Sequence, residues 1–66
     1  MNEVLNGIAP EIFMIISFLY GRIGSRFGLV NEVMTRFPGV MVSRGVATVA
    51  VKYVEDTILR SADFNG

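Results

Sequence analysis

The sequence predicts an all-α fold, either a small helical hairpin or a three-helix chain, and three observations support it. An apolar run follows a Pro-Glu pair of the kind that starts helices, a middle segment alternates polar and apolar residues with helical spacing, and the last segment places opposite charges four residues apart. At 66 residues the chain has the length of one small domain, 1–66.

The first predicted helix covers about 9–26 and is strongly apolar. Pro10 suits the first helical position, where its missing N–H costs nothing, and the helix dipole favours Glu11 directly after it. From residue 12 to residue 20 the helix is apolar on every side, which is typical of a helix that is buried all round. We expect a 66-residue monomer to contain too little material to surround it.

A short amphipathic helix is predicted at about 29–37, where Glu32 and Arg36 can pair four residues apart. The Phe-Pro-Gly sequence at 37–39 predicts a type II turn, because Pro sets φ for the first central position and Gly tolerates the positive φ of the second.

A third helix is predicted at about 40–61, followed by a tail at 62–66. Lys52, Asp56 and Arg60 are spaced for pairing along a helix. The alternative is an α+β fold with a β-hairpin at about 39–54, because this segment contains many β-branched residues around Gly45.

The composition indicates a chain that associates with something else. Hydrophobic residues make up 52% of the chain and charged residues 18%, against a usual charged fraction of about 25%. A domain this small buries only about 60% of its unfolded surface, and without Cys or His it lacks disulfides and the usual zinc ligands. We therefore expect contact with other protein subunits, with lipid, or with both.

The sequence does not predict an enzyme. Without Cys or His there is no usual nucleophile–base pair, and we expect no catalytic residues, no metal and no cofactor. The adjacent carboxylates Glu55 and Asp56 would point about 100° apart on a helix, so they do not form an acid–base pair. No small-molecule substrate is evident.

The apolar run is too short for a free-standing membrane anchor, because a spanning helix needs about 20 mostly apolar residues. Extending it backwards to Val4 includes Glu11, and extending it forwards includes Arg22 and Arg26. We expect membrane association within a larger assembly, with both arginines anchored at the headgroup level. Glu11 is then either satisfied by an intramembrane polar contact or placed at the outer interface of a short helix that tilts in the bilayer or thins it. The C-terminal part would then be cytoplasmic; the alternative is a soluble cytoplasmic chain.

The candidate site residues follow from this interpretation. Arg44, inside a Val-rich segment, is either a contact for a partner or phosphate or a residue of the solvated helix face. Zero net charge and a single Lys argue against nucleic acid. The apolar surface expected to contact a partner or lipid consists of Ile12, Phe13, Ile15, Ile16, Phe18, Leu19 and Tyr20.

The predicted function is that of a small structural or accessory subunit of a membrane-associated protein assembly. Its apolar helix would brace subunit contacts, and its arginines would anchor it at the interface. The alternative is a soluble, homo-oligomeric helical module for protein interaction or regulation.

Overall fold

Between Pro10 and Asn65 the chain forms three α-helices. The computed structural model describes the backbone of residues 6–65 and the side chains of residues 6–61. The helices are α1 (Pro10–Arg22), α2 (Arg26–Arg36) and α3 (Arg44–Asn65). The predicted all-α, three-helix fold is therefore confirmed, and the alternative hairpin at 39–54 is not supported, because residues 39–54 contain no strand.

Helix α1 starts as the sequence predicts, with Pro10 in its first turn and Glu11 beside it. It ends at Arg22, because the backbone of Ile23 is extended. The Ile23 N–H makes the last helical hydrogen bond, to the carbonyl of Leu19 at 2.8 Å. The predicted end at residue 26 is wrong, and Arg26 belongs to the next helix.

Serine side chains cap the N-termini of the other two helices. The Ser25 Oγ accepts a hydrogen bond from the Gly28 N–H at 3.0 Å, and the Ser43 Oγ accepts one from the Val46 N–H at 3.2 Å. Such N-caps satisfy backbone donors that lack partners within the helix. Helix α2 therefore begins before the predicted residue 29, and α3 begins after the predicted residue 40.

The chain turns between α2 and α3 at 38–40, one residue after the predicted turn at 37–39, and the turn is not type II. Gly39 has no positive φ. The carbonyl of Phe37 instead accepts from the N–H groups of Val40 and Met41, at 3.0 and 2.7 Å, as in a single helical turn.

The end of α3 also differs from the prediction. The helix continues to Asn65, so the tail predicted at 62–66 is wrong for residues 62–65, and Gly66 lies outside the described residues. Helix α3 therefore extends four residues past its predicted end at residue 61.

All three helices contact one another around one apolar core. The rings of Phe13 on α1 and Tyr53 on α3 lie 5.2 Å apart at a tilted angle, beside this core. The buried core residues are Ile8, Ile16, Leu19, Leu29, Val30, Val33, Met41, Ala47, Ala50, Val51 and Val54.

Helix α1 has 13 residues, and no helix within residues 6–65 combines the length and hydropathy needed to cross a bilayer. The longer apolar window, which reaches back to Val4, begins outside the described residues.

Candidate partner-binding surface

One side of α1 faces away from α2 and α3 and remains apolar. Met14 is 71% exposed and Phe18, one turn later, is 63% exposed, with the partly exposed Ile15 beside them. At 3.6 residues per turn these side chains, together with Glu11 and Arg22, fall within an arc of about 100°. We call this surface the outer face of α1, made of Glu11, Met14, Ile15, Phe18 and Arg22.

The opposite side of the same helix packs into the core. Ile16 is 0% exposed and Leu19 is buried with it. Ile12, Phe13 and Tyr20 are partly buried against the same cluster. The structure thus divides the predicted apolar surface: most of its residues stabilise the fold, and only Ile15 and Phe18 belong to the outer face.

Met14 is the one outer-face residue that the sequence-based list of contacts omits. The signal was present in the spacing of 11, 14, 15, 18 and 22, which is the repeat of one helix face. This repeat was hidden because the residues between these positions are also apolar, so nothing in the run marks the side that α2 and α3 cover.

The two ends of the outer face carry opposite charges. Glu11 lies in the first turn of α1 and Arg22 in the last, where each is favoured by the helix dipole. The Arg22 guanidinium lies 5.5 Å from the centre of the Phe18 ring, a cation–π contact on the protein surface. Among the described side chains of residues 6–61, neither Glu11 nor Arg22 forms an ion pair.

The predicted arginine anchor is not a single feature. Arg22 ends α1 and Arg26 begins α2, whereas the predicted helix at about 9–26 contains both, so their placement on one helix is wrong. Arg26 forms an ion pair with Glu55 of α3, which links α2 to α3.

Arg44 lies at the exposed start of α3, as the solvated-face interpretation predicts. Its guanidinium lies 5.3 Å from the centre of the Phe27 ring, which is itself exposed. The contact with a partner or phosphate that was predicted for Arg44 stays a prediction.

The outer face of α1 presents apolar side chains between one acidic and one basic residue. It is therefore suited to binding an apolar surface of another molecule. Within the described residues no three acidic, His or Cys side chains are grouped as metal ligands.

The chain matches no protein-family model, no curated protein and no solved structure. The outer face of α1 is therefore the feature on which a functional proposal depends.

Proposed function

We propose that this chain is a small helical subunit that works by binding another protein chain, identical or different, through the outer face of α1. The supporting observation is the exposure of Met14 and Phe18 side by side on a helix whose other side is in the core. Large apolar side chains that are neighbours on a surface are typical of interaction sites, whereas single exposed ones are common and need no explanation.

The charges on this face favour a protein partner over a lipid surface. One carboxylate and one guanidinium give the outer face no net charge. Helices that bind anionic membranes usually carry several Lys or Arg residues on the polar face. A protein surface that offers apolar contacts between opposite charges matches the outer face better.

Membrane association is a second candidate, supported by the position of Arg22 beside Phe18. In that arrangement α1 lies in the plane of the interface, with Met14 and Phe18 among the acyl chains and Arg22 at the phosphates. Vesicle flotation tests this candidate: binding to anionic vesicles that is lost in Phe18→Ser supports it, and recovery of the wild-type chain with the free protein excludes it.

Site-specific photo-crosslinking tests the proposed function. A benzoylphenylalanine in place of Phe18 is compared with the same group in place of Leu59, an apolar residue of α3 that is 56% exposed. In cells that encode the chain, we expect protein adducts at position 18 and few at position 59. Equal labelling at both positions, or no adduct at position 18, would contradict the proposal.

A further inference from the structure

We propose that the partner of the outer face is a second copy of this chain, bound with the two α1 helices antiparallel around a two-fold axis. This inference rests on the proposed function and names the partner. It follows from the order of side chains along the face: acidic, apolar, basic.

Four of the five positions on the outer face are self-complementary in an antiparallel pair, and the fifth, Met14, falls opposite the buried Leu19. If the axis passes midway between Glu11 and Arg22, each residue lies opposite the position whose number brings the sum to 33, because both helices rise equally per residue. Glu11 then lies opposite Arg22, and Ile15 opposite Phe18. A two-fold interface makes each of these contacts twice.

The charges distinguish this orientation from the parallel one. Glu11 and Arg22 are about 16 Å apart along the helix axis, at about 1.5 Å per residue. In parallel packing Glu11 would face Glu11 and Arg22 would face Arg22, and like charges in opposition disfavour an interface. Antiparallel packing replaces both repulsions with attractions.

The flank of the outer face leaves room for a neighbouring helix. Ser17 and Gly21 are small, exposed and one turn apart, and a Cβ built on Gly21 meets nothing within 4 Å. The apolar part consists of three side chains, Met14, Ile15 and Phe18, whereas a standard interface involves about 20–30 residues of each partner. We therefore expect a dimer that dissociates on dilution.

A charge-reversal series tests the pairing of Glu11 with Arg22. The variants are Glu11→Arg, Arg22→Glu and the double variant, with dimer dissociation measured by sedimentation equilibrium. Each single reversal creates two like-charge contacts and is expected to weaken the dimer about tenfold. The double variant restores the attractions and should dimerise nearly as well as the wild type.

If the reversals acted only by destabilising α1, the double variant would dimerise less well than either single variant. Both reversals oppose the helix dipole, so the double variant has the least favourable α1. Recovery of the dimer in the double variant therefore supports the pairing. The proposal is overturned if the double variant dimerises no better than the single variants or if the single reversals leave dissociation unchanged.

Disulfide crosslinking tests the orientation without the double variant. The chain contains no Cys, so Glu11→Cys and Arg22→Cys each introduce a single thiol. In an equimolar mixture, mild oxidation is expected to give mainly the mixed disulfide. Predominant 11–11 or 22–22 disulfides contradict the antiparallel arrangement.

The two proposals fail in different ways. If photo-crosslinking at position 18 yields an adduct with a different protein and no crosslinked dimer of this chain, the proposed homodimer is wrong. The proposed function then stands. If position 18 yields no protein adduct, the proposed function is itself wrong.

Discussion

The two sides of α1 are similar in composition and opposite in environment. On the inner side Ile16 is 0% exposed and Leu19 is buried; on the outer side Met14 and Phe18 are 71% and 63% exposed. Two further helices suffice to cover one side of an apolar helix and not the other. The difference shows that α1 carries more apolar surface than the described residues of one chain cover.

The inner side of α1 therefore contributes to the stability of the fold, and the outer side is available for binding. Fully burying a side chain such as Ile or Leu stabilises a fold by about 1.5–3 kcal/mol relative to leaving it exposed. Met14 and Phe18 supply little of that stabilisation within one chain, and the same apolar effect becomes available when a partner covers them. Substitutions on the two sides should therefore affect different measurements.

The largest expected effect on the free energy of unfolding is that of Ile16→Ala. Because Ile16 is fully buried, the truncation loses its apolar contacts and leaves a cavity, at a cost of about 2–5 kcal/mol. Urea unfolding monitored by circular dichroism, at concentrations that keep the chain monomeric, measures the loss. A cost below about 1 kcal/mol would show that the inner side is not the core.

Loss of a helix cap should have the next largest effect. Ser25→Ala and Ser43→Ala each remove a hydrogen bond to a backbone N–H and are expected to lower stability by about 0.5–2 kcal/mol. Ser17→Ala is the matched control, because the Ser17 hydroxyl donates to the Phe13 carbonyl inside α1. If all three substitutions cost the same in urea unfolding, the capping roles are wrong.

A smaller effect of opposite sign is expected for Gly21→Ala. An added Cβ meets nothing within 4 Å, and Ala loses less conformational entropy than Gly in a helix, so stability should rise by about 0.5 kcal/mol. In Gly28→Ala the new Cβ would lie 3.0 Å from the Ser25 Oγ and 3.2 Å from the Ile23 Cγ2. Thermal unfolding should therefore show a gain for Gly21→Ala only; equal gains would contradict the close approach at Gly28.

Phe18→Ser should change monomer stability least. Its one described specific contact is the surface cation–π interaction with Arg22, worth about 0.5 kcal/mol. The same variant is expected to lose self-association, measured by sedimentation. A large loss of monomer stability would show that Phe18 belongs to the fold and would remove the distinction between the two sides.

The helical type of the three elements between Pro10 and Asn65 could be predicted from local patterns in the sequence. Pro10 and Glu11 predict the start of α1, and the spacing of Glu32 and Arg36 predicts the ion pair seen at 2.7 Å in α2. The periodicity of apolar residues does not mark the boundaries near residues 25 and 43, because side-chain caps from Ser25 and Ser43 fix them.

The candidate site could be predicted only in part, because it depends on contacts between distant residues. Arg26 and Glu55 are 29 positions apart, and no local spacing predicts their ion pair. Similarly, the packing of α2 and α3 decides that Ile16 is covered and Met14 is not. Local periodicity cannot choose a side in a run that is apolar all round.

A dilution series of the unmodified chain, followed by nuclear magnetic resonance, tests directly whether the outer face of α1 binds a second copy. If a second copy covers the outer face of α1, the methyl and ring signals of Met14, Ile15 and Phe18 shift with concentration, and those of residues packed inside the core do not. Signals that are independent of concentration, or shifts centred on exposed residues of another face such as Leu59, would contradict the account.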